Sequence, residues 1–505
     1  MEAAISAEPG EPAESETTTV PYVEVRETHT GVVVLAGDRA YKAKKPVLTD
    51  FLDFRAPEQR QRACLREVEL NSRLSPGSYL GVAHLSDPAG GPGEPIIVMR
   101  RYRDEDRLAA MVTQCSEESL HRALDAVAGM LASFHGHARR NWVIDAQGEA
   151  GAVEQRWHAN LLELNRFAEE SISGVTFDSV SRIQRLVAEF VSGRQRLFAR
   201  RVEDACIVDG HGDLLADDIF VVGGEPVLLD CLEFDDELRY LDRIDDAAFL
   251  AMDLEFLGRK DLGDCFFDRY AAHSADAAPW SLRHFYIAYR AVVRAKVDCV
   301  RQSQGKSEAA AYAARHLVIA TRHLETGAIR LALVGGNPGS GKSTLARALA
   351  VHAGAQVIST DDIRQELRES GVITGEPGVL DAGLYSRDNV SAVYQECLRR
   401  ARLLLGDGHS VILDGTWQDP QNRAHAHHLA EETHSAFVEL MCSATNDTTA
   451  DRIKTRRPGN SEVTTQIAAA LASRDHGWDT ANRMNTTRPL EDSLREAHDI
   501  WLAIV

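Results

Sequence analysis

One stretch constrains this chain more than any other: Gly336-Asn337-Pro338-Gly339-Ser340-Gly341-Lys342-Ser343-Thr344. It fits G-x-x-x-x-G-K-[ST], two glycines, a lysine and a hydroxyl at fixed spacing. A chance match in a chain this long arises on the order of once in fifty sequences at average residue frequencies. The flanks narrow the reading. Residues 329–334 read as a buried strand entering the loop, and residues 344–350 as a helix leaving it. Strand, loop and helix are the context in which this motif cradles phosphates. Backbone N–H groups and the helix N-terminus favour a triphosphate such as that of ATP. Lys342 then reaches the β- and γ-phosphates, and Ser343 ligates Mg²⁺. The competing reading is a Gly-rich turn.

The chain has 505 residues, enough for two or three domains. At 44% hydrophobic and 26% charged it has an ordinary globular composition. No apolar run approaches a membrane span, so no membrane partner is expected. Residues 1–20 carry Glu2, Glu8, Glu11, Glu14 and Glu16 with Pro9 and Pro12, and no basic residue. They read as a disordered acidic tail rather than a signal peptide, and a cytoplasmic location is expected. A net charge of −20 argues against a broad nucleic-acid surface. The eight cysteines are scattered singly with no C-x-x-C pair, which suits reduced, buried thiols.

The expected organisation is a tail (1–20), an N-terminal domain (21–327) and a C-terminal domain (328–505). A helical run from about 282 to 323 ends at Thr326-Gly327, and the strand of the phosphate loop follows at once. So short a connection implies close packing.

In the C-terminal domain, residues 355–358, 410–413 and 436–441 read as further strands with helices between them. The pattern predicts a parallel sheet with helices on both faces, and ligands at the carboxyl ends of its strands. Ser359-Thr360-Asp361-Asp362-Ile363-Arg364 follows the second strand. Asp361 there can take a proton from an attacking hydroxyl, and Arg364 can hold an anionic acceptor. Alternatively, the segment caps the next helix. Asp414, after the third strand, is placed to hold Mg²⁺. Arg452, Lys454, Arg456 and Arg457 cluster farther on, either as a lid that neutralises the transferring phosphoryl group or as a solvated basic face. The phosphate loop with Ser359, Asp361 and Arg364 resembles the P-loop kinases that include polynucleotide kinases and zeta toxins. That resemblance implies phosphoryl transfer, with Asp361 activating the acceptor and Arg452 and Arg456 on ATP. Nothing resembles the sensor and arginine-finger regions of ring-forming AAA motors.

In the N-terminal domain the key string is His211-Gly212-Asp213-Leu214-Leu215-Ala216-Asp217-Asp218, followed by a strand that ends in Asp230. It resembles the aminoglycoside phosphotransferase and protein-kinase-like fold, whose loop reads H-G-D-x-x-x-x-N. The resemblance implies Asp213 as catalytic base and Asp230 and Asp218 toward Mg²⁺. Arg39-Ala40-Tyr41-Lys42-Ala43-Lys44 reads as a strand with Lys42 toward ATP, and Lys44 on the same face is its rival. Glu67, on a helix starting near Arg66, pairs with that lysine. Leu120, Leu124, Val127, Leu131 and Phe134 form an apolar helical stripe. Asp218 stands where the family has Asn. No G-x-G-x-x-G precedes Lys42, only Thr28-His29-Thr30-Gly31, so a shortened N-lobe is expected. Asp245-Asp246 resembles the family's structural aspartate. Arg290 and Arg294 share a helix face, either gripping an anion or holding carboxylates of a neighbour.

Taken together, the chain resembles bacterial bifunctional aminoglycoside phosphotransferase/ATP-binding proteins. The expected fold joins α+β and α/β parts: a two-lobed protein-kinase-like domain, then a P-loop NTPase domain with a parallel sheet flanked by helices. The expected activity moves the γ-phosphoryl group of Mg-ATP to a hydroxyl of a small molecule. Three alternatives stand beside it: a sensing N-terminal domain, a toxin-like nucleotide-sugar kinase, and a nucleic-acid 5′-hydroxyl kinase, which the net charge disfavours.

Overall fold

A computed structural model describes residues 22–27, 31–48, 53–86, 88, 90–91, 93–170, 172–376, 381–455 and 477–505. Two compact units divide the chain. One comprises the described residues of Met1–Asp106 with Val227–Phe234, the other Arg107–Pro226 with Asp235–Val505.

The first unit is built on strands β1 (Val23–Glu27), β2 (Gly31–Ala36), β3 (Arg39–Lys44), β4 (Tyr79–Leu85) and β5 (Glu94–Arg100). They form one antiparallel sheet in the order β1-β2-β3-β5-β4. Among the described residues this sheet has five strands. Thr28, His29 and Thr30, which stand where the glycine-rich pattern is missing, lie outside the described residues. The helix bearing Glu67 starts at Pro57 rather than near Arg66, with proline at its first position, where no N–H is needed. Alternation along β3 sends Lys42 and Lys44 to one face.

The second unit begins with helices. Glu117–His137 buries Leu120, Leu124, Val127 and Leu131 on one stripe. Phe190 stacks on Phe285 at 4.3 Å, with Trp157 and Phe198 packed edge-on or tilted around Phe285. Along the chain the loop at Asp213 lies between the short strands β6 (Ile207–Asp209) and β7 (Ile219–Val222), followed by β8 (Glu225–Leu228), whose last two residues belong to the first unit, and β9 (Tyr240–Asp242). The helical run over 282–323 is two helices, Trp280–Ser303 and Ala309–Gly327, broken at Gly305, whose φ is +92°. Only glycine adopts that conformation cheaply, and the chain reverses there.

Strands β10 (Arg330–Gly335), β11 (Gln356–Ser359), β12 (Val411–Asp414), β13 (Ala436–Ser443) and β14 (Asn482–Asn485) form a parallel sheet in the order β11-β12-β10-β13-β14. β10 is central and buried along its whole length, as its apolar run predicts. The edge strand β14 escapes sequence reading because Asn-Arg-Met-Asn lacks an apolar pattern. The preceding helices dock on this sheet at the end opposite the phosphate loop. Arg194, fully buried, donates to the carbonyls of Leu405, Thr433 (2.9 Å) and His434 (3.2 Å). Leu405 and Thr433 close two helices, whose partial negative ends offset the guanidinium charge. Burial nevertheless lowers its pKa to about 9. Arg196 and Arg200 grip Asp407, and Ser281 donates to the Gly408 carbonyl.

Candidate active site

The C-terminal site grows from strand register. Val334, Asp414 and Ser359 are direct neighbours across β10, β12 and β11, so three loops leave the sheet side by side. From β10 comes the phosphate loop, in which Gly336, Gly339 and Gly341 have φ of +135°, +82° and +84°. Helix Lys342–Ala353 starts immediately after it. The loop's outer side is pinned by polar contacts. Thr486 donates its hydroxyl to the carbonyls of Ser340 and Ser443. Arg452 donates to the carbonyls of Thr486 (2.7 Å) and Gly339 (3.4 Å). Asn337 accepts from Gln418 at 2.9 Å. Arg452, which the resemblance puts on the phosphates of ATP, donates here to carbonyl oxygens of the loop and of Thr486. Arg456 and Arg457 lie outside the described residues.

Asp414 is 3% exposed, and its Oδ1 has no hydrogen-bond partner among the described residues. Burial raises its pKa, opposed by the nearby Lys342 charge and a hydrogen bond from Ser343, while Asp361 reinforces the rise. A buried anionic oxygen beside a serine hydroxyl is a donor set that suits a hard cation such as Mg²⁺. Asp361 lies in the first turn of helix Thr360–Glu369. Ser359 occupies the N-cap position but makes no side-chain cap, so capping alone does not account for the segment. Arg364, one turn on, donates to Asp361 at 2.7 Å and lies over the Tyr385 ring at 4.8 Å. Behind them Tyr394 meets Thr416 at 3.2 Å, and its hydroxyl accepts from the Trp417 N–H. Trp417 has φ +52° and is fully buried. Sequence reading missed Tyr394, Gln418 and Thr486. The rule that ligands gather at strand ends would have found Gln418.

In the N-terminal sheet unit, the rivalry between Lys42 and Lys44 ends in a shared partner. Lys42 Nζ lies 2.8 Å from Glu67 Oε1 and 2.6 Å from Asp230 Oδ1. Lys44 Nζ lies 2.5 Å from Glu67 Oε2 and also pairs with Glu233. Burial alone would lower both lysine pKa values, but the facing carboxylates raise them. Burial pushes Glu233 up, with Glu67 adding to the effect. Asp230 has φ +62°, and its N–H donates to the Tyr79 hydroxyl. Asn71 accepts from the Cys231 N–H at 2.9 Å, fixing the segment that carries Asp230 and Glu233. Glu233 was not singled out by sequence.

Asp213 belongs to the second unit. Its loop is held by Asp246, which accepts from the N–H groups of His211 (2.7 Å) and Gly212 (2.9 Å). His135 lies 2.9 Å from the same carboxylate. Burial would raise the Asp246 pKa, but His135 and these N–H groups hold it well below the ordinary carboxylate range. Arg290 donates to Asp245 at 2.7 Å and to the Gly212 carbonyl at 3.2 Å, the structural alternative for that arginine. Asp218 closes a short 3₁₀ turn, Ala216–Asp218, and is half-buried.

A family model described as AAA domain (AAA_33) matches residues 331–475. An uncharacterized protein of Mycobacterium tuberculosis, Rv2004c, is 67% identical over 97% of this chain and 97% of its own length. Among solved structures, a sugar kinase from Janibacter sp. HTCC2649 is 17% identical, covers 35% of this chain and 98% of its own, and has a TM-score of 0.28. A choline/ethanolamine kinase family protein from Mesorhizobium loti is 16% identical, covers 61% and 92%, and has a TM-score of 0.36. Among the described residues, no helix is long and apolar enough to cross a membrane.

Proposed function

Because the chain belongs to the family of this mycobacterial protein and carries a AAA-type P-loop domain, we propose that it is a Mg-ATP-dependent phosphotransferase acting on a small hydroxyl-bearing molecule. The C-terminal site is the principal catalytic unit in this reading. Lys342 and the loop N–H groups hold the triphosphate, and Ser343 and Asp414 hold Mg²⁺, which would neutralise charge on the phosphates. Asp361 accepts the proton of the attacking hydroxyl, while Arg364 orients that carboxylate and faces the acceptor. The observation that carries the reading is the side-by-side emergence of the phosphate loop, Asp414 and the Asp361–Arg364 pair from neighbouring strands. An ATPase needs the first two, whereas the third is what an acceptor requires.

The N-terminal domain is read as a second kinase, with Lys42, Glu67 and Asp230 as the nucleotide and metal residues of the first unit and Asp213 and Asp218 as the base and metal residues of the second. Aspartate in place of Asn at 218 favours a second reading, a ligand-sensing domain, because it adds negative charge where phosphates would lie. ADP release measured against pools of sugars, amino alcohols and nucleosides tests both. Acceptor-stimulated release abolished by Asp361→Asn and kept by Asp213→Asn supports the C-terminal kinase with a sensing partner. Release stimulated by no pool refutes the transferase reading.

A further inference from the structure

A cavity of about 520 Å³ lies within the second unit, where helix Phe177–Gly193 and the end of helix Ala309–Gly327 meet the parallel sheet. Ile329 and Ala436 line it at the starts of β10 and β13. The phosphate loop leaves the other end of β10, six residues away, or about 20 Å. The cavity is therefore separate from the site of phosphoryl transfer. Its size is that of a small-molecule site, and seams between packed layers are where such sites gather. Leu186, Phe190, Leu324 and Ile329 give it apolar walls. Nearer solvent, Glu189 pairs with Arg185 at 2.8 Å, and Glu431 lies 3.4 Å from His427.

Arg194 lines the same cavity and is fully buried. Its Nη1 and Nη2 donate to four carbonyls and the Ser435 hydroxyl, while Nε has no hydrogen-bond partner. The buried Arg201, Arg239 and Arg290 each face a carboxylate. Among the described residues no carboxylate pairs with Arg194, and the helix ends beside it supply only partial charge. A buried ion in that position gains from an anion brought into the same low-dielectric space. We infer that this cavity binds a small monocarboxylic acid with an apolar body, whose carboxylate serves as the counter-ion of Arg194. The walls take the hydrocarbon, and Glu189 and Glu431 turn away anions of higher charge.

Isothermal titration of the full chain with hexanoate, 4-phenylbutyrate and indole-3-acetate, each beside its neutral amide, tests this. At least one acid should bind, and at least about tenfold tighter than its amide, the effect of one full charge near a buried cation. Ser435→Asp sets a carboxylate where the hydroxyl now lies 3.3 Å from Arg194 Nη2. It should weaken the acid at least about tenfold by taking its place. Ser435→Asn, of the same size without the charge, should keep the affinity. Ala436→Trp, which fills the cavity, should abolish binding of acid and amide alike. Thermal melting checks that each variant folds, and the Ser435 pair carries the test if the tryptophan variant does not. Binding by none of the three acids overturns the proposal, as does equal affinity of acid and amide. Equal loss in Ser435→Asp and Ser435→Asn, or full affinity in folded Ala436→Trp, overturns it as well.

Discussion

Gly336→Ala is the substitution whose effect the geometry specifies most fully. At φ +135° the backbone occupies a region that side-chain-bearing residues rarely adopt. Holding alanine there costs about 1–3 kcal/mol. A Cβ would also sit 2.4 Å from the Cys442 carbonyl oxygen and 2.7 Å from the Ser340 hydroxyl. Carbon contacts relax at about 3.5 Å, so the loop must move by roughly 1 Å. Such a shift misaligns the amides that face the phosphates. Losing one charge-assisted hydrogen bond costs about 1.5–3 kcal/mol, or roughly a ten- to hundredfold rise in Kd. Titration with a fluorescent ATP analogue in the presence of Mg²⁺ measures it. Gly354→Ala is the control. It has φ +64° and nothing within 4 Å of the added carbon, so it should lose only about 1 kcal/mol of stability and no affinity. If Gly336→Ala binds the analogue as tightly as Gly354→Ala does, this account of the loop is wrong.

Asp414→Asn should raise the melting temperature of the ligand-free protein while removing the Mg²⁺ dependence of nucleotide binding. An acid whose folded pKa is raised destabilises the fold above its unfolded value near 4, and that penalty disappears below it. A lowered melting temperature would count against the burial argument. Asp246→Asn should cost about 3–5 kcal/mol because His135 and two N–H groups lose a charged partner. Its folded pKa is depressed, so the contribution is present above about pH 4 and is lost as pH falls further. Acid titration followed by circular dichroism should therefore find the variant less sensitive to falling pH than the wild type. Arg194→Met removes three charge-assisted hydrogen bonds to the carbonyls of Leu405, Thr433 and His434, at about 1 kcal/mol each or more. Limited proteolysis should then release the C-terminal sheet domain, and an unchanged digest would refute the clamp.

What the sequence made legible was local. The phosphate loop, β3 and the buried β10 follow from residue spacing within a few turns of chain, and Asp414 follows from standing at a strand end. Glu67 was visible as a partner for a lysine, but two lysines alternate on one strand face, and spacing cannot apportion one carboxylate between them. The structure shares it, and Glu233 completes the arrangement from far along the chain. Arg194 was invisible for a similar reason. Its partners are carbonyls more than two hundred residues away, and a carbonyl leaves no mark in a sequence. β14 and the break at Gly305 failed differently. One lacks an apolar pattern, and the other is a single glycine inside an otherwise continuous helical periodicity.

The central claim is that Asp361 prepares a hydroxyl acceptor for the phosphoryl group held at Lys342. Phosphorus NMR of a small-metabolite pool incubated with Mg-ATP and the enzyme tests it directly. With every sample carrying Asp213→Asn to silence the N-terminal site, a new phosphoester resonance should grow with the otherwise wild-type chain and be absent when Lys342→Ala or Asp361→Asn is added. ATP converted to ADP and inorganic phosphate alone, or a phosphoester that persists in Asp361→Asn, would contradict the account.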